Sequence, residues 1–168
     1  MARRVFFSFH YTNDIWRANQ VRNAHVAAGA GAAGFFDRSE YAEAKRSGKD
    51  GIARMILRHL RGTSVTVVLI GRETAERPWV KYQIEKSIER KNGLVGIYIH
   101  HMKDANGEPS PCRGGKPVVP EGVEFPAYDW DDRLERFRWE IEAAGQRSDA
   151  LRSTRPPRDG EVRGMNGS

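Results

Sequence analysis

The 168-residue sequence contains one cysteine, Cys112, so no disulfide can form within the chain, and a reducing cytoplasm is the expected compartment. No apolar run approaches the roughly 18 residues a membrane helix requires, so no transmembrane segment is expected. The opening Met-Ala-Arg-Arg leads straight into VFFSFH, which is short and followed by polar residues instead of a small-residue cleavage site. That pattern reads as a buried strand, not a signal peptide. There is no G-x-x-x-x-G-K-[ST] loop, which excludes a P-loop nucleotidase. The sequence also has no zinc-binding spacing: His100, His101, Asp104 and Cys112 fit none, and adjacent histidines at a strand end should point to opposite sides. No metal site is expected, and no internal repeat is visible.

Charge is present in excess of one sign. Lysine and arginine number 28 against 22 acidic residues, a net charge of +6, with hydrophobic content at 39%. Part of the excess sits at the end, where Arg147, Arg152, Arg155, Arg158 and Arg163 face only Asp149, Asp159 and Glu161. This reads as a basic, disordered tail over residues 147–168, and nucleic acid is not the expected partner. The preceding residues 1–146 suit one domain with a sizeable core.

Short apolar runs mark the strands. VFFSFH (5–10), SVTVVLI (64–70) and LVGIYIH (94–100) are strand-length and rich in β-branched or aromatic residues, with weaker candidates at GFFD (34–37) and around Phe125–Trp130. SVTVVLI is apolar almost throughout, as in a parallel strand covered on both faces. Helical segments lie between them. Residues 13–27 follow the potential cap Thr12–Asn13 and place Ile15, Ala18 and Arg22 or Val26 on one side. Ile52, Met55, Ile56, His59 and Leu60 repeat at helical spacing, residues 78–91 begin with a proline in the first turn, and residues 131–144 align Leu134, Phe137, Ile141 and Ala144. The alternation predicts an α/β, doubly wound, flavodoxin-like parallel sheet of about five strands in the order 2-1-3-4-5, with helices on both faces. The connection at 101–124 is long for such a fold, and loops of that length are functional or mobile.

GAGAAG (29–34) matches G-x-G-x-x-G in letters, but it follows a predicted helix and precedes a predicted strand, the reverse of the phosphate-binding arrangement. A phosphoacceptor domain of the same fold needs an aspartate at the end of the third strand, where this chain has Ile70-Gly71-Arg72. Position within the fold is more informative. Doubly wound sheets bind ligands beyond the carboxyl ends of their strands, where strand order reverses. Ser8, His10 and Tyr11 from the first strand, Phe36 and Asp37 from the second, and Trp79 to Gln83 from the helix after the third converge there. In that helix Val80, Ile84, Ser87, Ile88 and Lys91 form the predicted sheet-facing stripe, with Trp79 and Gln83 sharing one flank. Glu85 lies roughly 160° around the helix from Gln83 and cannot replace it.

These blocks resemble a known family. VFFSFHYTND is similar to the first-strand box of TIR domains, and GFFD through GKDGIARMILRHLRGTSVTVVLIG to the segments that follow. WVKYQ resembles the family's W-C-x-x-E, with Val80 for the cysteine and Gln83 for the glutamate. More narrowly, residues 3–104 resemble the TIR-like proteins of the bacterial Thoeris anti-phage defence system. The resemblance implies a TIR fold and an NAD+ glycohydrolase or ADP-ribosyl cyclase with NAD+ as substrate and no further cofactor. Its ADP-ribose-derived product would activate a separate effector protein, and homo-oligomers are common in such enzymes. By position, the resemblance implies that Trp79 lines the pocket, Tyr82 lies beside the reacting ribose, and Gln83 stands in the place of the essential catalytic glutamate. Ser8, His10, Tyr11 and Asp37 would form pocket wall. An amide cannot stabilise an oxocarbenium-like charge as a carboxylate does, so the chain is expected to be impaired or inactive. A substitution that traps substrate and a natural binder without turnover both fit, and the family-like surroundings favour the former. The alternative is a TIR module that signals by assembly or nucleotide binding without catalysis.

Overall fold

The computed structural model describes residues 3–27 and 38–154. Strand β1 (Val5–Ser8) leads into helix α1 (Tyr11–Ala27). Helices α2 (Arg38–Arg46) and α3 (Gly48–Leu60) precede strand β2 (Val65–Ile70). A single 3-10 turn, Thr74–Glu76, introduces helix α4 (Pro78–Glu89), followed by β3 (Gly93–Tyr98), β4 (Ala127–Asp129) and α5 (Leu134–Ser153).

The described strands form a four-stranded sheet in the order β1-β2-β3-β4, and every pairing is parallel. This is the predicted order without its second strand. The GFFD candidate and the glycine-rich GAGAAG lie outside the described residues, so the expected five strands are four among those described. The weak candidate near Phe125–Trp130 is β4, the edge of the sheet.

Strand parity sorts the core into two layers. Val5 and Phe7 of β1, Val65, Val67 and Leu69 of β2, and Val95 and Ile97 of β3 pack with Ala18 and Val21 of α1 and with Phe137, Ile141 and Ala144 of α5. On the opposite face Phe6 meets Ile52, Met55, Ile56 and Leu60 of α3, while Val68, Ile70 and Leu94 meet Val80 and Ile84 of α4. All six residues of β2 are buried, as expected of a strand covered on both sides.

Several helix details differ from the sequence reading. Helix α1 begins at Tyr11, before the proposed cap, and its buried face carries Asp14, Arg17, Ala18, Val21 and His25, with Arg22 exposed. Polar side chains occupy this face because Arg17 has partners there: its Nε and Nη2 donate to the carbonyls of Met102 and Glu108. The polar segment after residue 37 forms α2, which the apolar pattern did not mark because no residue of it is buried. In α3 the expected stripe is buried except for His59, whose Nε2 lies 2.6 Å from Glu40 Oε1 of α2. Lys91 falls beyond the end of α4 at a φ of 62° and is no part of its stripe.

The largest correction concerns the C-terminal region. The predicted helix 131–144 runs instead to Ser153, and the expected disordered tail from residue 147 is helical for its first turns. Phe137, Ile141 and Ala144 are buried as predicted, whereas Leu134 is 38% exposed. The extension escaped notice because polar bonds, not apolar residues, hold it. Arg147 donates to the Leu94 carbonyl and Ser148 to that of Lys91. Arg152 donates to the carbonyls of Thr63 and Arg90 and to Asn92 Oδ1. Asp149 pairs with Arg3.

The long 101–124 segment has no helix or strand, yet it is tied down. Besides Arg17, Gln20 donates to the Lys103 carbonyl, and Lys116 donates to that of Phe125. Gly114, at a φ of 79°, lies so close to the Gly71 carbonyl that a Cβ would sit 2.0 Å from its oxygen. His100 and His101 follow β3 with ring centroids 3.8 Å apart, so they do not diverge as a continued strand would require. Among the described residues no cluster of histidine, cysteine and carboxylate groups could hold a metal, and no helix is long and apolar enough to cross a membrane.

The bonds made by Arg147, Ser148 and Arg152 contribute about 1 kcal/mol each. A chain ended after Gln146 should therefore unfold in urea with a stability about 3 kcal/mol below that of a chain ended after Thr154. Equal midpoints would show that the last turns of α5 add nothing.

Candidate functional site

Strand β1 ends at Ser8, and the chain passes through Phe9 and His10 into α1. Pro78 in the first turn of α4 sets that helix going immediately after Arg77. The two segments lie side by side, and between them is a cleft of about 200 Å³. Its polar and aromatic lining includes His10, Tyr11, Thr12, Arg77, Trp79 and Gln83, with Tyr41 of α2 opposite. Ile52, Met55 and Ile56 of α3 make the apolar floor. The cleft therefore occupies the carboxyl end of the first strand, as sheet topology predicts.

Gln83 is only 3% exposed, deeper than a position on the flank of its helix. Parity explains its partner. Ser8 shares the face of Phe6, the face that α4 covers, and its hydroxyl donates to Gln83 Oε1 at 2.5 Å. Ser8 itself is fully buried and does not reach the cleft, so it lies behind the pocket wall and forms no part of it. Trp79 lines the cleft, with Tyr82 edge-on to it at 5.4 Å between ring centroids. Tyr82 is not among the lining residues; it packs toward α3, and Lys86 lies over its ring. Tyr11 stacks on Tyr41 at 4.3 Å and forms an aromatic wall. Asp37 lies outside the described residues.

Sequence reasoning missed Arg77 and Tyr41. Arg77 could have been found, since a residue directly before a first-turn proline stands at a helix mouth. Its Nη2 donates to Glu73 Oε2 at 2.7 Å, and Asn13 of α1 donates to the same oxygen at 2.8 Å. These bonds, that from Arg77 foremost, hold the Glu73 carboxyl below its usual range. The bridge ties α1 to the start of α4 across the mouth of the cleft. Burial lowers the pKa of His10, and the Arg77 charge lowers it further against the opposing charge of Glu73, which favours the neutral ring. Its Nδ1 is buried without a hydrogen-bond partner among the described residues. Tyr41 carried no signal, because it sits in a polar helix with no buried face.

A parallel sheet wrapped by helices on both faces, with an aromatic cleft at the carboxyl end of its first strand, defines a doubly wound α/β domain of flavodoxin-like type. Residues 6–104 match the family described as Thoeris protein ThsB, TIR-like domain, and the chain belongs to that family. It is similar to the putative cyclic ADP-D-ribose synthase ThsB1 of Bacillus cereus (strain MSX-D12), at 43% identity over 138 residues. That match covers 77% of this chain and 72% of the relative.

One buried acid lies against Gly71, directly after the end of β2. Asp14 is 3% exposed and packs so tightly on Gly71 that a Cβ there would lie 2.3 Å from Asp14 Oδ2. Burial raises its pKa to about 6, against the opposing effect of Arg17 3.5 Å away. Below about pH 4 both folded and unfolded chains are protonated at this residue. Between about pH 4 and 6 the folded chain keeps a proton that the unfolded chain has lost, so stability falls as pH rises through this window. Above it the folded chain carries the full cost of a buried charge, on the order of 3 kcal/mol. Asp14→Asn should flatten that decline when urea unfolding is measured from pH 4 to pH 8; an unchanged slope would contradict the assignment.

Proposed function

We propose that this chain binds NAD+ in the cleft between β1 and α4 and belongs among the TIR enzymes that convert NAD+ to an ADP-ribose-derived immune signal. The observation that carries the reading is Gln83, buried on α4 yet facing an aromatic cleft at the carboxyl edge of β1. Family membership supports it, as does the activity for which the Bacillus cereus relative is named. Trp79, Tyr11 and Tyr41 offer flat surfaces for nicotinamide or adenine, and Arg77 offers a cation to the diphosphate.

The reaction breaks the bond between ribose C1′ and the nicotinamide nitrogen, whose electron pair leaves with nicotinamide. Positive charge develops on the ribose until an electron pair from water, from another atom of the same nucleotide or from a second molecule forms the new bond to C1′; where water is the nucleophile, it then loses a proton. A carboxylate at position 83 would stabilise that charge inside a water-poor cleft. Glutamine matches its size and hydrogen-bonds well, but carries no charge and cannot accept the proton. The chain as it stands binds nucleotide and turns it over poorly. In a competent relative the product, linear, cyclic or conjugated, would diffuse to a separate effector protein. The chain is a cytoplasmic protein in this reading.

Gln83→Glu should raise NAD+ consumption by about 10²–10⁴-fold, or roughly 3–5 kcal/mol of transition-state stabilisation, with little change in NAD+ affinity. Nicotinamide release followed by chromatography, with calorimetry for binding, measures both. If Gln83→Glu consumes no NAD+ at high protein concentration, the assembly-module reading replaces the enzyme. If the unchanged chain is equally fast, position 83 is not catalytic.

A further inference from the structure

Residue 83 is held at two points by different parts of the fold. Its main-chain carbonyl accepts from Ser87 Oγ at 2.7 Å, one turn along the same helix. Ser87 in turn accepts from Thr66 Oγ1 at 2.7 Å, and Thr66 accepts from Asn92 Nδ2 at 3.1 Å. Arg152 of α5 holds the other end of Asn92. This buried thread fixes where the α4 backbone lies over β2, but it says nothing about the direction of the side chain. The side chain has its own anchor: among the described residues, Ser8 is its hydrogen-bond partner.

We propose that Ser8 is the positioning residue of this site, holding one terminal atom of side chain 83 so that the other faces the ligand. The proposal rests on the nucleotide reading of the cleft and goes beyond it by giving a role to a residue that no ligand touches. A serine hydroxyl has one proton to give, and here it goes to Oε1. The amide Nε2 is thereby turned from β1, and glutamine presents N–H donors to the cleft. A carboxylate in the same place would keep the bond to Ser8 on one oxygen and present the other, with its charge, to the reacting ribose. Ser8 thus accepts either side chain without a change of fold, while the polarity shown to the ligand reverses. The bond would also act on the carboxylate itself. A hydroxyl that donates to the charged form favours it and offsets the burial that would otherwise keep the group protonated.

The test compares Gln83→Glu with the double variants Ser8→Ala/Gln83→Glu and Ser8→Cys/Gln83→Glu. The cysteine variant nearly keeps the buried volume while donating weakly, which protects the test if alanine impairs folding. NMR titration of the carboxyl introduced at position 83 reads the bond directly, without requiring turnover. It should titrate about one pH unit higher in both Ser8 variants, as loss of a hydrogen bond to the charged form requires. The Ser87→Ala/Gln83→Glu variant serves as the structural control. It loses the bond to the main chain and lowers stability, but leaves the titration in place. An unchanged titration in the Ser8 variants overturns the proposal, and so does an equal shift in the Ser87 control. NAD+ turnover is recorded on the same proteins: the acid limb of kcat/KM should move upward with the titration, with kcat falling more than KM rises at pH 6. Absence of turnover alongside the shifted titration would sink the nucleotide reading and leave the positioning role of Ser8 intact.

Discussion

Strand β2 has no residue that reaches solvent, and that constraint organises the rest of the molecule. A strand buried on both faces needs an apolar layer above and below, and β2 has parallel neighbours on both edges. Parallel neighbours cannot be joined by a tight hairpin, so each connection crosses over and can deliver a helix to one face. Helices α1 and α5 cover one side, and α3 and α4 the other. The placement of α4 over Phe6 and Ser8 is a consequence of this wrapping, and with it comes the cleft at the end of β1.

The molecule spends polar groups in its interior sparingly and mostly with partners. Thr66, Ser87 and Asn92 lie in the layer between β2 and α4, where apolar residues would have packed, yet each is hydrogen-bonded. Arg17 and Arg152 use the same chemistry at opposite ends of the sheet, one on the carbonyls of the 101–124 segment and the other on those below β3. A buried donor without an acceptor would cost more than a made bond returns, so such contacts specify position as well as strength. The hydrogen bond from Ser8 to Gln83 belongs to this economy. An amide and a carboxylate each offer an oxygen that this hydroxyl can meet.

Much of this was legible in the residues. β-Branched runs located β1, β2 and β3, and the helical repeat from Ile52 to Leu60 located α3, because burial on a regular element leaves a period behind. The cleft, too, was legible as a place, because strand order and the carboxyl ends of strands dictate where it opens. Membership of the TIR-like ThsB family rests on the same blocks. Elements stabilised by polar contacts were not legible. Helix α2 buries nothing, and the last turns of α5 are held by arginine and serine on backbone carbonyls, so neither leaves an apolar pattern.

Side-chain direction divides the two kinds of knowledge most sharply. The sequence by itself determined that Trp79 and Gln83 share a side of one helix, that Glu85 lies on the other, and that Phe6 and Ser8 alternate with Val5 and Phe7. These are local periodicities, set by about 100° per residue in a helix and by strict alternation in a strand. Only the tertiary structure decided that Ser8 sits behind the pocket, that Tyr82 turns from the cleft toward α3, and that Arg77 and Tyr41 close it. Those outcomes depend on how elements far apart in the chain lie against one another, and a local period carries no information about that distance.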